Sequence, residues 1–263
     1  MKFCGIDLHS NNSVVVVTDE SDKILISKRC PNDLDQILKV LAPHSTEIVG
    51  VVVESTYNWY WLVDGLMSAG YEVRLANTVA MKRYDGLKHS DDKDDAAHLA
   101  HLLRLGILPT GYIHPPQHRA LRDLARKRIQ LVRTRTQQVL AAENIYSRNL
   151  GASLTSNAIK RLEIEEVDAL GLDPDVALAV KSNIAIIQAL NLQIEQVESR
   201  LLQAVRLNSD YALLKSVPGI GEVLATVIML EVGDVQRFAQ VGNFASYARC
   251  VDSCLLYTSP SPR

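Results

Sequence analysis

Lys2-Phe3-Cys4-Gly5-Ile6-Asp7-Leu8-His9 is an apolar run of strand formers with one carboxylate set into it, and Ser13 to Thr18 (SVVVVT) follows as a second, β-branched run. Two short strands this close in sequence predict a hairpin-like start to a sheet. Working outward, Asp19 to Asp22 (DESD) is a polar turn, and Ile24 to Ser27 reads as a third strand. Asn32 to Leu41 places Leu34, Ile37, Leu38 and Leu41 at helical spacing. Ile48 to Val53 (IVGVVV) is apolar without alternation, as strands buried on both faces are. Tyr57 to Ala69 reads as a helix closing on Gly70, Tyr71 to Ala76 as a fifth strand, and Ala96 to Leu105 as a helix ended by Gly106 and Pro109. The order is three adjacent strands, then helix, strand, helix, strand, helix. That order predicts an α/β domain over residues 1–112 with the ribonuclease-H-like layout.

The remainder is helical. Gln117 to Asn149 contains no Pro or Gly and carries a stripe of Leu121, Leu124, Ile129, Val132, Val139 and Leu140. It would extend about 50 Å at ~1.5 Å per residue. After breaks at Gly151, Gly171 and Pro174, Val176 to Leu207 repeats the pattern with Ile184, Ile187, Leu190, Ile194, Val197, Leu201 and Val205. Two long helices around a broken segment predict a coiled-coil hairpin across residues 113–208. Val217-Pro218-Gly219-Ile220-Gly221 then opens a further segment, residues 209–253. The last ten residues, 254–263 (CLLYTSPSPR), continue no earlier pattern and match one reading frame of a transposon-end sequencing adapter. They are read as adapter read-through, with the natural protein expected to continue past about Ser253.

Composition bounds the function. Of 263 residues, 47% are hydrophobic and 22% charged, the balance of a globular protein able to bury a core. The net charge of -2 means that nucleic-acid binding must come from a local patch and not from the average. The four cysteines, Cys4, Cys30, Cys250 and Cys254, have neither C-x-x-C nor zinc-finger spacing, which argues against a disulfide framework and a structural zinc. No signal pattern and no apolar stretch of about 18 residues is seen, so no membrane span is expected and a reducing cytoplasm is the expected compartment.

Three acidic motifs carry the chemistry. Asp7 in an apolar strand is costly to bury unless a cation or hydrogen bonds compensate it. Glu54 ends the IVGVVV strand, and in open α/β sheets functional groups collect at the carboxyl ends of strands. Ser90-Asp91-Asp92-Lys93-Asp94-Asp95-Ala96 concentrates four acids in five positions. Asp92 and Asp95, three apart, share a helix face, and Asp91 and Asp94 point elsewhere. Each motif has a plainer explanation: a solvent-facing strand end, a helix cap, an acidic helix start favoured by the dipole. Together they predict a set of hard oxygen ligands for Mg²⁺ of the kind that serves phosphoryl transfer.

Two basic features accompany them. Arg119, Arg122, Arg126, Lys127, Arg128, Arg133 and Arg135 stand against the single acid Asp123. They read as a phosphate-backbone contact, or else as the solvated face of a coiled coil. Pro218 to Gly221 between two helical runs reads as a helix-hairpin-helix, in which Gly219 and Gly221 permit the turn and helix-start N–H groups meet a phosphate, or as a simple corner. His89, His98 and His101 are read as surface or packing residues without a metal role.

These residues closely resemble the DEDD insertion-sequence transposases, the IS-one-ten and IS-eleven-eleven group of RNA-guided recombinases. The matching stretches are GIDLH around Asp7, VVVEST around Glu54, HSDDKDDAAHLAHLLRLGILP from His89, SVPGIG, and GDVQRF with NFASYARCV. The resemblance implies a RuvC-like domain in which Asp7, Glu54, Asp92 and Asp95 are catalytic and bind Mg²⁺. It also implies a second domain supplying a nucleophilic serine, an element-encoded guide RNA, DNA as substrate at the element's ends and target, and assembly as dimers or tetramers. The serine-bearing stretch should follow Val251-Asp252-Ser253, so Ser253 is not given that role, nor are Ser259 and Ser261. The chain as written is then expected to lack strand transfer. A Holliday-junction resolvase would need the acidic site alone. An actin-like ATPase also starts on a Gly-Ile-Asp-Leu strand but would need a second phosphate motif, which is not found. A non-enzymatic DNA-binding module would tolerate alanine at Asp7 or Glu54.

Overall fold

Strand β1 (Lys2–Leu8) lies inside a six-stranded sheet of order β3-β2-β1-β4-β5-β6, in the computed structural model that describes residues 1–81 and 92–250. Its neighbours are β2 (Asn12–Thr18), antiparallel, and β4 (Ile48–Glu54), parallel. β3 (Ile24–Pro31) pairs antiparallel with β2, β5 (Val73–Ala76) parallel with β4, and β6 (Thr110–Gly111) antiparallel with β5. A mixed sheet of this order, with an antiparallel start, a parallel centre and flanking helices, fits the ribonuclease-H-like layout. The chain divides into two units, Met1–Ile113 and a second beginning at His114.

Side chains alternate across the sheet. One face sends Cys4, Ile6, Leu8, Val15, Val17, Val51 and Val53 against α1 (Leu34–Leu41) and α2 (Tyr60–Ser68), where Ile37, Leu41, Leu62 and Leu66 are fully buried. Each such burial contributes roughly 1.5–3 kcal/mol. The opposite face presents Gly5, Val14, Val16 and Val52 to α4 (Asp92–Arg104), which buries Ala96 and Leu99 there. A Cβ at Gly5 would lie 1.9 Å from the Ala96 carbonyl oxygen and 2.9 Å from the Ala100 nitrogen, so the helix backbone rests directly on the strand.

α4 begins at Asp92, four residues before the helix expected from Ala96, which puts Asp92, Asp94 and Asp95 inside its first turn. Negative charge at this end and His101 and Arg104 in the last turn both complement the helix dipole. The far end is clasped to the β2–β3 turn. Arg104 donates to the Asp22 carboxylate from Nε at 2.7 Å and from a terminal nitrogen at 2.6 Å, and His101 Nδ1 lies 2.9 Å away. Burial raises the Asp22 carboxyl, but the bonds from Arg104 and His101 outweigh it and hold it below its ordinary value. Its contribution is therefore present above the unfolded carboxyl pKa near ~4 and is lost as pH falls through the lowered folded value. Asp22 sits at φ 61°, a conformation Asn also tolerates. Asp22→Asn should cost about 1 kcal/mol at neutral pH and nothing in strong acid, read by urea unfolding at the two pH values.

Some elements differ from expectation. β3 runs on to Pro31 and not only to Ser27, because ladder pairing with β2 carries the polar Lys28 and Arg29 along an edge strand. α2 starts at Tyr60 and not Tyr57, and neither the four-residue α3 (Thr78–Met81) nor the two-residue β6 had a pattern to announce it. Among the described residues Cys4 and Cys30 are buried free thiols, and burial pushes the Cys4 thiol pKa up.

In the second unit α5 (Pro116–Leu150) and α7 (Pro174–Val205) pack antiparallel. Val139 and Ala142 meet Val180, Ile184 and Ile187 at one end, and Ala125 meets Leu201 at the other. Ala142 takes the inward position expected of Leu140, which is 49% exposed. The broken segment between them holds α6 (Ser156–Arg161), capped by the Thr155 side chain. α7 alone among the described helices is long and apolar enough to cross a membrane by length and composition, although Ile184, Ile187, Ile194, Leu201 and Val205 are turned inward. α8 (Ser209–Lys215) and α9 (Glu222–Val232) follow, then α10 (Val241–Tyr247). In the corner between α8 and α9 only Gly219 requires a left-handed conformation, φ 89°; Gly221 is extended and precedes the first turn of α9. His89, Ser90, Asp91, Ser253 and the segment 254–263 lie outside the described residues.

Candidate functional site

The carboxyl ends of β1 and β4 and the N-terminus of α4 converge. Asp7 is the next-to-last residue of β1 and only 2% exposed, because Val14 of β2 lies opposite it and α4 covers its face. Ile6 pairs with Val53, so Asp7 and Glu54 occupy the next register position on adjacent parallel strands, about 4.8 Å apart between backbones. Both share the sheet face of Gly5 and Val52, the face on which α4 lies. α4 runs antiparallel to β1: Ala96 and Ala100 cover Gly5, and the turn before them, with Asp92 and Asp95, reaches the level of Asp7.

His9 links the two motifs. Its Nε2 lies 3.2 Å from Asp7 Oδ2 and 3.3 Å from Asp92 Oδ2, and ligand atoms of Asp7, His9 and Asp92 all fall within 4.8 Å of one another. Asp7 Oδ2 is buried and accepts no hydrogen bond. Glu54 and Asp95 are half-buried but are not members of that three-residue group, and Asp94 is exposed. Arg29, reaching across from β3, donates to Asp92 Oδ2 at 2.5 Å and to Asn12 Oδ1 at 2.8 Å. That Arg29 bond, more than the charge of His9, lowers the Asp92 carboxyl below its ordinary value.

Sequence reasoning missed His9 and Arg29. His9 carried a signal, two residues past Asp7 within GIDLH. Arg29 carried none, since strand pairing alone brings it near α4. The backbone of His9 is clamped from both sides. Its carbonyl accepts from Asn32 Nδ2 and Asn58 Nδ2, each at 3.0 Å, while Ser13 donates to Asn32 at 2.7 Å and Thr56 to Asn58 at 2.9 Å. The Ser-Thr that follows Glu54 thus leads into a support for His9.

A family model of DEDD transposases of the IS110 type matches residues 4–145, the span that holds every residue of this cluster. The chain belongs to the IS110 family of DEDD transposases. A second model, described as Transposase IS116/IS110/IS902 family, matches residues 211–252. The chain is similar to "Putative transposase y4qE" of Sinorhizobium fredii (strain NBRC 101917 / NGR234), 26% identical over 193 residues that cover 72% of this chain and 46% of that protein. The chain therefore spans less than half of that curated relative.

In this IS110-family transposase the placement of the basic helix narrows both readings of its charge, phosphate-backbone contact and solvated coiled-coil face. Arg119 is buried; Arg122 and Arg126 donate to Glu231 of α9 at 2.8 and 2.6 Å; Arg128 bonds Glu198 and Arg135 bonds Asn191, both on α7. The reason is spacing. Residues 119, 122 and 126 form one stripe and 128 and 135 another, and each stripe turns toward a packed helix. Arg126, Lys127 and Arg133 are exposed. Glu231 is raised by burial, but the two guanidiniums outweigh this and hold it below its ordinary value.

Proposed function

We propose that this chain carries the magnesium-dependent acidic site of a DNA transposase, with Asp7, Glu54, Asp92 and Asp95 as its carboxylates. The observation that carries the reading is Asp7, a buried carboxylate whose Oδ2 accepts no hydrogen bond and faces Asp92 and His9. A buried charge so placed needs a cation, and the carboxylates on the neighbouring strand and on the first turn of α4 offer the other hard oxygen donors of a divalent site. The residues fit the group. A bound Mg²⁺ would polarise a phosphoryl oxygen and stabilise the developing charge of strand cleavage. Asp7 would hold it from the sheet, Glu54 from the neighbouring strand, and Asp92 and Asp95 from the helix, while Arg29 orients Asp92. The resemblance adds DNA ends and target as substrate, an element-encoded RNA as guide, and assembly of two or four protomers.

The test compares neighbours in the same turn. Asp92→Asn should abolish the Mg²⁺-dependent rise in melting temperature and, in a chain that also carries the nucleophilic serine, Mg²⁺-dependent cutting of the element's DNA ends. Asp94→Asn, exposed and turned away, should leave both within about twofold. Equal loss at the two positions would reject this choice of register.

Backbone contact by the exposed arginines of α5, with the α8–α9 corner and its Gly219 and Gly221, would hold the DNA. Glu231 then competes with phosphate for Arg122 and Arg126. Glu231→Gln should strengthen duplex binding and steepen the dependence of log K on log salt by up to about two, read by fluorescence anisotropy across salt concentrations. An unchanged slope would remove these arginines from the interface.

A further inference from the structure

We propose that His9 is itself a ligand of the metal site, making it a mixed oxygen–nitrogen centre with a preference for Mn²⁺ over Mg²⁺. The inference rests on the acidic site proposed above and adds to it the donor that sets its metal selectivity.

Three observations carry it. The first is position: His9 Nε2 is 3.2 Å from Asp7 Oδ2 and 3.3 Å from Asp92 Oδ2, and the three donors lie within 4.8 Å of one another, so one ion can be reached by all. The second is the unsatisfied oxygen of Asp7, buried and aimed at the same point. The third is the support of His9. Just beyond β1, its carbonyl is held by Asn32 from the β3 side and Asn58 from the β4 side, its backbone nitrogen donates to the Asn12 carbonyl at 2.9 Å, and Ser13 and Thr56 fix the two asparagines. Ordering several polar side chains costs conformational entropy, which a surface histidine of no consequence would not require. Metal ligands are held by such outer partners.

The chemistry follows from the donor set. Mg²⁺ demands near-octahedral oxygen ligation and gives up its waters reluctantly. Imidazole nitrogen is a softer donor, and affinity for nitrogen-containing sites rises along the first transition row, starting with Mn²⁺. Replacing one carboxylate-like position by imidazole therefore favours the transition ion.

The rival role for His9 is that of a cation standing in for the metal between two carboxylates, as Arg29 pairs with Asp92. The two roles predict opposite signs. As a ligand, His9 removed by His9→Ala weakens Mn²⁺; as a stand-in, its removal strengthens it. Mn²⁺ and Mg²⁺ are titrated into the 263-residue chain by calorimetry, and nitrogen coupling to bound Mn²⁺ is read by electron spin-echo envelope modulation. The wild-type chain should show a ¹⁴N modulation that His9→Ala lacks, with Mn²⁺ affinity falling about tenfold and Mg²⁺ affinity changing less. Bound Mn²⁺ without nitrogen coupling, or affinity unchanged or raised in His9→Ala, would overturn the ligand role while leaving the carboxylate site standing. Failure of the wild-type chain to bind either ion would instead overturn the acidic-site reading on which the proposal rests.

Discussion

Gly5→Ala is expected to destabilise the first unit by about 3 kcal/mol and to remove most of its metal affinity, although the change adds a single methyl group. The added Cβ would meet the Ala96 carbonyl oxygen at 1.9 Å and the Ala100 nitrogen at 2.9 Å. Both are helix backbone, so no rotamer change relieves the clash and α4 has to move outward. That helix carries Asp92 and Asp95 on its first turn, and its displacement withdraws them from Asp7. The two losses should be coupled, read as the urea midpoint and as Mn²⁺ affinity on the same preparation. A variant of full stability and full affinity would show that α4 does not rest on β1. Loss of stability with affinity intact would show that the carboxylates of α4 take no part in holding the ion.

Asp7→Asn should separate stability from chemistry. The substitution keeps the shape of a side chain that is 2% exposed while removing its charge. Without metal the variant should be as stable as the wild type or more so, because a buried carboxylate facing Asp92 is costly. With metal at 100 times its dissociation constant, the wild type should gain about 2.7 kcal/mol and the variant essentially nothing. In a chain that also carries the nucleophilic serine, metal-dependent cleavage should fall by roughly a thousandfold or more, since the ion is worth several kcal/mol of charge stabilisation and each ~1.4 kcal/mol is tenfold. Thermal unfolding with and without Mg²⁺ and single-turnover cleavage check the two halves. A variant that remains metal-stabilised would place the ion elsewhere.

The difference in how these residues could be recognised is physical. Asp7 and Glu54 stand out in the sequence because a carboxylate inside or at the end of an apolar, β-branched run violates the local pattern, and such violations are where a functional site is expected. Parallel register then does what sequence predicts of it, setting both at the same level on one face. The shared face of Asp92 and Asp95 was legible through helical spacing, although the apolar pattern alone starts the helix at Ala96, four residues after its observed start. Arg29 was not legible, because its partner is 63 residues away and nothing local to β3 marks it. The basic stripe was legible in composition but not in direction: which arginines turn toward Glu231, Glu198 and Asn191 depends on which helices pack against α5.

The order of strands and helices, the sheet's two apolar faces and the long helices of the second unit were written in the chain itself, because hydrophobic period and turn residues act over a few positions at a time. What only the tertiary structure decided is the meeting of His9 with Asp7 and Asp92, the reach of Arg29, and the inward turn of Arg119, Arg122, Arg128 and Arg135. Those depend on a helix backbone seated against a glycine and on helices packed across long separations, and contacts between segments distant in sequence leave no periodicity to read.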